Sequence, residues 1–110
     1  MVSPYDELGE CEAFEWDDGN RDKNWSKHRV SDGEAEQVFF NEPLIAAKDV
    51  LHSKGEKRFY ALGQTDAGRR LFIAFAIRKK LIRIISAREM TRREQRRFEH
   101  GQEAVEKDGA

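Results

Sequence analysis

The chain has 110 residues, of which 38% are hydrophobic and 37% are charged, so it can form one small domain with a modest core. Its single cysteine, Cys11, excludes an intramolecular disulfide and the usual structural zinc sites. The longest apolar run, 71–77, is too short to span a bilayer, and the acidic start does not resemble a signal peptide. We therefore expect a soluble cytoplasmic protein with no membrane partner.

Charge is segregated along the chain. Residues 1–53 carry five Lys or Arg against thirteen Asp or Glu, whereas residues 69–97 carry eleven against two. A basic segment of this density favours a polyanionic partner, either nucleic acid or an acidic protein. The alternative is that the two halves neutralise each other in the fold. Charge alone leaves both interpretations open.

The composition divides the chain into three parts. We expect an irregular N-terminal extension over 1–12, a folded domain over 13–100 and a flexible tail over 101–110. The extension contains Pro4 and Gly9 and few apolar residues, which argues against regular structure there.

Two helices are expected in the N-terminal half of the domain. A short strand at 13–16 comes first, and Asp17 or Asp18 can then cap a mostly polar helix. Ser31 and Glu34 have the spacing of a capping box, in which each side chain binds the backbone N–H of the other residue. They predict the start of a second helix.

Four strands and a last helix follow. The strands are predicted at 44–50, 57–64, 69–77 and 81–87. Their short connections favour an antiparallel meander. Thr91 and Glu94 form another capping box, which opens a C-terminal helix. The predicted fold class is α+β, with an antiparallel sheet, the N-terminal helices packed on one of its faces, and a C-terminal helix.

Several stretches occur in an order that is typical of one protein family. They are FEWD (14–17), NWSKHRV (24–30), HSKGEKRFYALG (52–63), GRRLFIAF (68–75) and RIISAR (83–88), the last followed by an Arg-rich helix with Glu94. This ordered set resembles the BrnT family of type II toxins over about 14–98. The resemblance implies a small RelE-like fold and an endoribonuclease that cuts RNA and so inhibits translation.

The resemblance also implies a BrnA-like antitoxin as partner. Such an antitoxin would bind the toxin and carry the DNA-binding part, and we expect the complex to dimerise through the antitoxin and to bind operator DNA. The chain departs from the family by its acidic extension and by Arg29, which stands where family members often have glycine. A glycine suits a helix C-cap, so Arg29 predicts a different ending or strain.

RNA carries its own nucleophile, the 2′-hydroxyl. A nuclease therefore needs no metal if its side chains move the protons and stabilise charge on the phosphate. Arginine suits the phosphate because its planar guanidinium matches two oxygens. The sequence shows no tight carboxylate cluster of the kind that binds magnesium in nucleases. We expect metal-independent transesterification, with neither metal nor cofactor.

The candidate catalytic residues are His52, Glu56, Arg58, Arg83 and Arg88. Glu56 and Arg58 lie two apart, so they can act from one face as base and phosphate clamp, or form an exposed ion pair. Arg83 interrupts an apolar run and must bind phosphate or a carboxylate such as Glu56. Strand alternation separates Arg83 from Arg88 unless the chain turns by Arg88, and we expect this turn because a helix follows. His52 can carry a proton, although loop histidines are commonly just solvated.

Further cations are candidates for holding RNA. They are Lys27, His28, Arg69, Arg92, Arg93 and Arg96. Lys27 and His28 also suit the C-terminal end of a helix for electrostatic reasons alone. The helix arginines can hold an RNA backbone or an acidic segment of the antitoxin. For Trp16 and Trp25, core packing is favoured over stacking on bases.

Two other functions compete with the ribonuclease. The same basic half would serve a non-catalytic regulator that binds nucleic acid or a partner with this fold. A toxin-like scaffold that has lost activity and only binds its partner is the third possibility.

Overall fold

The computed structural model describes the backbone of residues 3–108 and the side chains of residues 3–101. The helices are α1 (Pro4–Gly9), α2 (Lys23–His28), α3 (Asp32–Val38) and α4 (Arg92–Asp108). The strands are β1 (Ala13–Phe14), β2 (Ile45–Lys48), β3 (Arg58–Gln64), β4 (Arg70–Arg78) and β5 (Leu81–Glu89). They form one sheet in the order β1-β5-β4-β3-β2.

The predicted α+β fold is confirmed, but the sheet is mixed rather than antiparallel. Strands β2 to β5 form the expected antiparallel meander. Strand β1 pairs parallel with β5, through Ala13 opposite Leu81 and Phe14 opposite Ile82. The helices and three other strands separate β1 from β5 in sequence, so no hairpin sets its direction.

The prediction of an irregular segment over 1–12 is wrong where that segment is described. Ser3 caps α1 through a capping box with Asp6, and Pro4 occupies the first turn. The hydroxyl of Tyr5 accepts a hydrogen bond from the Ala46 backbone N–H at 2.9 Å, which satisfies a donor on the outer edge strand β2. Residues 1 and 2 lie outside the described residues.

The first helix of the domain is shorter than predicted. It begins at Lys23, and the capping position belongs to Asp22, which makes no side-chain cap. Asp17 does not cap it; its carboxylate binds an arginine of the sheet instead. The expected irregularity at Arg29 is confirmed, because this C-cap residue is left-handed with φ 54°. The prediction that Trp25 packs in the core is wrong, since this residue is 47% exposed.

Helix α3 begins at the predicted capping box of Ser31 and Glu34. It covers one face of the sheet, where Ala35 and Val38 pack in a cluster with the odd-numbered residues of β3 and β4. That cluster includes Phe59, Ala61, Leu71, Ile73 and Phe75. Gly63 allows the close approach, because a Cβ there would lie 2.7 Å from Val38.

Helix α4 lies on the opposite face. Phe98 is fully buried there in a cluster with Leu62 and Met90, against Ile45 and Phe72. A Cβ on Gly101 would overlap the Cδ1 methyl of Ile45, so glycine lets the helix cross β2 without displacing that side chain. The helix continues to Asp108. The side chains of the predicted flexible tail after 101 are not described, so that prediction stays untested.

Two buried asparagines replace the missing strand along the outer edge of β5. Asn20 donates to the carbonyl of Ile84 at 3.0 Å, and Asn24 accepts from the N–H of Ala87 at 2.9 Å. Asn24 is 4% exposed, and its helix α2 therefore runs along this edge. Beyond the two residues of β5 that pair with β1, these two backbone groups are satisfied by asparagine side chains rather than by a strand.

Replacing Asn24 with alanine should destabilise the fold. The Ala87 N–H would lose its partner in a buried site, and we expect a loss of about 1–3 kcal/mol in the free energy of unfolding. Urea denaturation measures it, with the exposed Ser26→Ala of the same helix as the control. Equal stability of the two variants would contradict the assigned role.

Candidate nucleic-acid interface

A β-bulge in β5 places Arg83 and Arg88 on one face of the sheet, the face that also carries Arg58 of β3. Phe75 pairs with Ile84, but the preceding Ala74 pairs with Ser86, so Ile85 is skipped. Arg83 and Arg88 therefore point to the same side, although they lie five residues apart. The predicted turn by Arg88 is wrong, because the strand continues to Glu89 and the bulge corrects the alternation instead.

Arg58 lies on this same side. It pairs with Ala76 of β4, which in turn pairs with Arg83. Two strand spacings separate the Arg58 and Arg83 backbones by about 10 Å. We call the side that carries Arg58, Arg83 and Arg88 the arginine face; α4 covers its Phe72 end and leaves its Arg58 end uncovered.

A cleft of about 320 Å³ opens between α2 and the uncovered end of the arginine face. Five predicted site residues line it, namely Lys27, His28, Glu56, Arg58 and Arg83. Lys23, Arg78 and Ser86 line it as well. The cleft is concave and carries more cationic than acidic side chains, which is the electrostatic character of a phosphate-binding site.

Arg83 is the most strongly held cation in the cleft. Its guanidinium donates to both oxygens of Asp17, at 2.8 and 3.0 Å, and to Glu15 at 3.0 Å, while its side chain is 15% exposed. Hydrogen bonding from Arg83 lowers the pKa of Asp17 to about 2. The predicted alternative of a salt bridge is thus present, but with Asp17 and Glu15 rather than with Glu56.

Glu56 is paired with a different arginine. Arg78 binds both of its oxygens, and this hydrogen bonding lowers the pKa of Glu56. Glu56 therefore stays ionised and engaged, which weakens it as a proton acceptor. Arg58 differs, because its guanidinium forms no salt bridge with any described residue.

Arg88 lies on the arginine face but outside the cleft lining. Its guanidinium donates to Glu94 at 2.7 and 2.9 Å and lies 4.3 Å from the centre of the Phe72 ring. Hydrogen bonding from Arg88 lowers the pKa of Glu94. Because Glu94 also closes the capping box with Thr91, Arg88 joins the end of β5 to the start of α4.

Two predicted residues lie away from the cleft. His52 is exposed in the connection after β2 and contacts Asp49 at 2.9 Å. Arg69 binds Glu34 at 3.2 Å and the Arg29 carbonyl at 2.7 Å, so it braces the α2–α3 corner against β4. These contacts account for Arg69 by stability alone.

The remaining candidates lie on the first turns of α4. Arg92, Arg93 and Arg96 are exposed and form no ion pair with any described residue. Arg97, the residue after Arg96, lies 5.2 Å from the centre of the Tyr60 ring on the arginine face. The helix therefore extends the cationic surface beyond the cleft.

The chain was compared with known protein families. The family model described as "Ribonuclease toxin, BrnT, of type II toxin-antitoxin system" matches residues 16–94. The chain belongs to the BrnT family. No curated protein matches it. The resemblance stated from the sequence is confirmed, and BrnT membership assigns RNA as the class of substrate and an antitoxin as the class of partner.

The family match, from Trp16 to Glu94, includes every residue that lines the cleft. It omits Glu15, one of the two carboxylates on Arg83. Within the described part of the chain, no group of three or more His, Cys, Asp or Glu is placed to hold a metal ion. No described helix has the length and apolar character needed to cross a membrane.

Sequence reasoning missed several residues of the BrnT cleft. Lys23 was not identified as a site residue because the helix was expected to begin earlier. Its spacing of four from Lys27 nevertheless puts both lysines on one side of the helix. Arg78 stood at the end of a strand and was assigned to a connection. Asn20 and Asn24 carried no signal, since polar residues on a polar helix are ordinary.

The Arg83–Asp17 pair should make the stability of this BrnT chain sensitive to acid. Folding lowers the pKa of Asp17 from 3.8 to about 2, so its contribution is complete above pH 3.8 and is lost as pH falls towards 2. Asp17→Asn should flatten this part of the stability profile, measured by denaturation between pH 2 and 5.

Asp18→Asn is the matched control, because Asp18 is exposed and makes no ion pair with described residues. A slope that is unchanged by Asp17→Asn, or changed as much by Asp18→Asn, would show that the pair does not act as described.

Proposed function

We propose that this BrnT toxin cleaves RNA by transesterification without a metal ion, with the scissile phosphate in the cleft. The observation that carries the proposal is the convergence of Arg58, Arg83 and Lys27 on one concave site. The 2′-hydroxyl of RNA supplies the nucleophile, so the protein has to orient the phosphate and stabilise its added charge.

Arg58 is the first phosphate ligand in this mechanism. Its side chain is half-buried and has no carboxylate partner among the described residues, so binding phosphate breaks no existing ion pair. Lys23 and Lys27 face it from α2 on the other wall of the cleft. A phosphate between the walls would be neutralised from two sides, as the pentavalent transition state requires.

Arg83 is the second ligand, and RNA has to compete for it. Asp17 and Glu15 occupy the guanidinium in the free protein. Asp17 is more than half exposed, so it can move aside when a phosphate arrives. The carboxylates keep Arg83 extended towards the cleft and prevent strong binding of a single phosphate.

His28 is the proton carrier in this proposal. It is exposed in the cleft and belongs to the side-chain type that gains and loses protons near neutral pH. Glu56 is engaged by Arg78, and His52 lies outside the cleft lining. His28 therefore replaces these two candidates as the acceptor of the 2′-hydroxyl proton. The 2′-oxygen bonds to phosphorus as the P–O5′ bond breaks, which leaves a 2′,3′-cyclic phosphate, and the leaving 5′-oxygen takes up a proton from protonated His28 or from water.

The α4 arginines fit the antitoxin. Arg92, Arg93 and Arg96 form an exposed cationic patch on α4, without ion pairs to described residues. We propose that an acidic segment of a BrnA-like antitoxin covers this patch and blocks RNA entry. The antitoxin would carry the dimer contact and the operator-binding part, so the complex would repress its own operon; translation is inhibited when the toxin is released.

Arg58→Ala should abolish most RNA cleavage. Loss of one donor to the transition state costs about 10²–10³ in rate. Cleavage of a defined single-stranded RNA in EDTA measures both the rate and the metal requirement. Arg70→Gln is the matched control, since Arg70 lies at the other end of β4 and binds Glu99.

Two outcomes would count against this mechanism. Cleavage that stops in EDTA and returns with a divalent cation would remove the metal-independent step. RNA that is bound at stoichiometric concentration but stays intact would favour the non-catalytic regulator.

Asp17→Asn should tighten RNA binding several-fold at low salt. It removes the competing carboxylate from Arg83 and leaves the guanidinium in the cleft. The dissociation constant for a 2′-O-methyl RNA, which cannot react, measures binding alone.

Asp18→Asn makes the same change in net charge one residue away and controls for general electrostatics. If both variants tighten binding equally, phosphate does not compete with Asp17 for Arg83.

A further inference from the structure

An aromatic pair lies on the arginine face beside the cleft. The rings of Tyr60 and Phe72 are stacked, with centroids 5.7 Å apart and an interplanar angle of 15°. Phe72 is packed by α4 and Arg88, but Tyr60 lies nearer to Arg58, two residues along the same strand. The backbone distance between Arg58 and Tyr60 is about 7 Å.

The neighbours of Tyr60 across the sheet have small side chains. Its row of the arginine face continues through Ala74 of β4 to Ser86 of β5, which lines the cleft. Alanine and serine are too small to cover the ring on that side. The contacts described for the Tyr60 side chain are with the Phe72 ring and the Arg97 guanidinium.

Arg97 is the only described cation over this ring, at 5.2 Å from its centre. It forms no ion pair with a described carboxylate, so it can shift without leaving a charge unpaired. A guanidinium beside an aromatic ring offers a planar cationic partner to a nucleobase, while the ring offers a stacking surface.

Resting on the proposed function, we propose that Tyr60 is a nucleobase-binding residue of the RNA site. A nucleotide with its phosphate at Arg58 and Arg83 would insert its base above Ala74, between the Tyr60 ring and the guanidinium of Arg97, which shifts to admit it. Stacking on the ring accepts every base, so the site would favour single-stranded RNA without reading its sequence strongly. The exposed Trp25 does not line the cleft and has no part in this contact.

The test compares bases with the bare backbone. The probe is a short single-stranded 2′-O-methyl RNA, which cannot be cleaved, and a series in which one position at a time is abasic. The wild-type chain should bind the intact strand roughly tenfold more tightly than the weakest abasic strand, as expected for one stacked base. Tyr60→Leu, which keeps an apolar side chain on Phe72, should reduce this ratio to about one.

Tyr60→Phe keeps the stacking ring and should keep the ratio. Tyr60→Phe and Tyr60→Leu should both bind the abasic strand as tightly as the wild type does. Urea denaturation shows whether Tyr60→Leu is folded, and Tyr60→Met provides a second non-aromatic variant. A ratio that stays near tenfold in folded Tyr60→Leu or Tyr60→Met overturns the stacking role and leaves RNA cleavage standing. Absence of both RNA binding and cleavage in the wild type overturns the proposed function, and the stacking role with it.

Discussion

The skipped residue in β5 is the constraint on which the cationic site depends. Without it, a regular strand that buries Ile82 and Ile84 would turn Arg88 into the core under α3, where an unpaired charge costs about 3–5 kcal/mol. With it, Ile82, Ile84 and Ala87 all reach the core while both arginines stay outside. The backbone groups that flank the bulge are the ones bound by Asn20 and Asn24, so the same contacts that support the bulge also place α2 as the second wall of the cleft.

The segregated charge of the sequence is neutralised inside the fold at some positions and left exposed at others. Part of the acidic half neutralises the basic half inside the fold, because Glu15 and Asp17 hold Arg83 and Glu34 holds Arg69. The remaining cations, including Arg58 and the exposed arginines of α4, are left without acidic partners in the described chain. Ion pairs at the surface of a protein contribute little stability. Their effect is to leave a surface whose affinity for a polyanion depends on which carboxylates move.

The predictable features were local ones. The capping boxes at Ser31 and Thr91 and the four long strands depend on neighbouring residues, and all are present within a few residues of the expected bounds. The bulge was not predictable, because it follows from which residues of β4 and β5 pair in space. For the same reason, the sequence did not predict that Arg83 pairs with Asp17 and Glu15, or that Glu56 pairs with Arg78. Helix α1 is different: its Ser-Pro start with Asp6 was a local signal that low apolar content concealed.

Arg88 shows why position on a catalytic-looking face does not establish a catalytic role. It is the last arginine of β5, yet Glu94 satisfies its guanidinium on one side and Phe72 packs below it. Through Glu94 it also holds the first turn of α4, and α4 carries Arg97 towards Tyr60. Removing Arg88 would therefore release the helix that borders the site and would lower activity without any contact to phosphate. Arg58 has no such structural partner, so the loss of its side chain reports on the substrate itself.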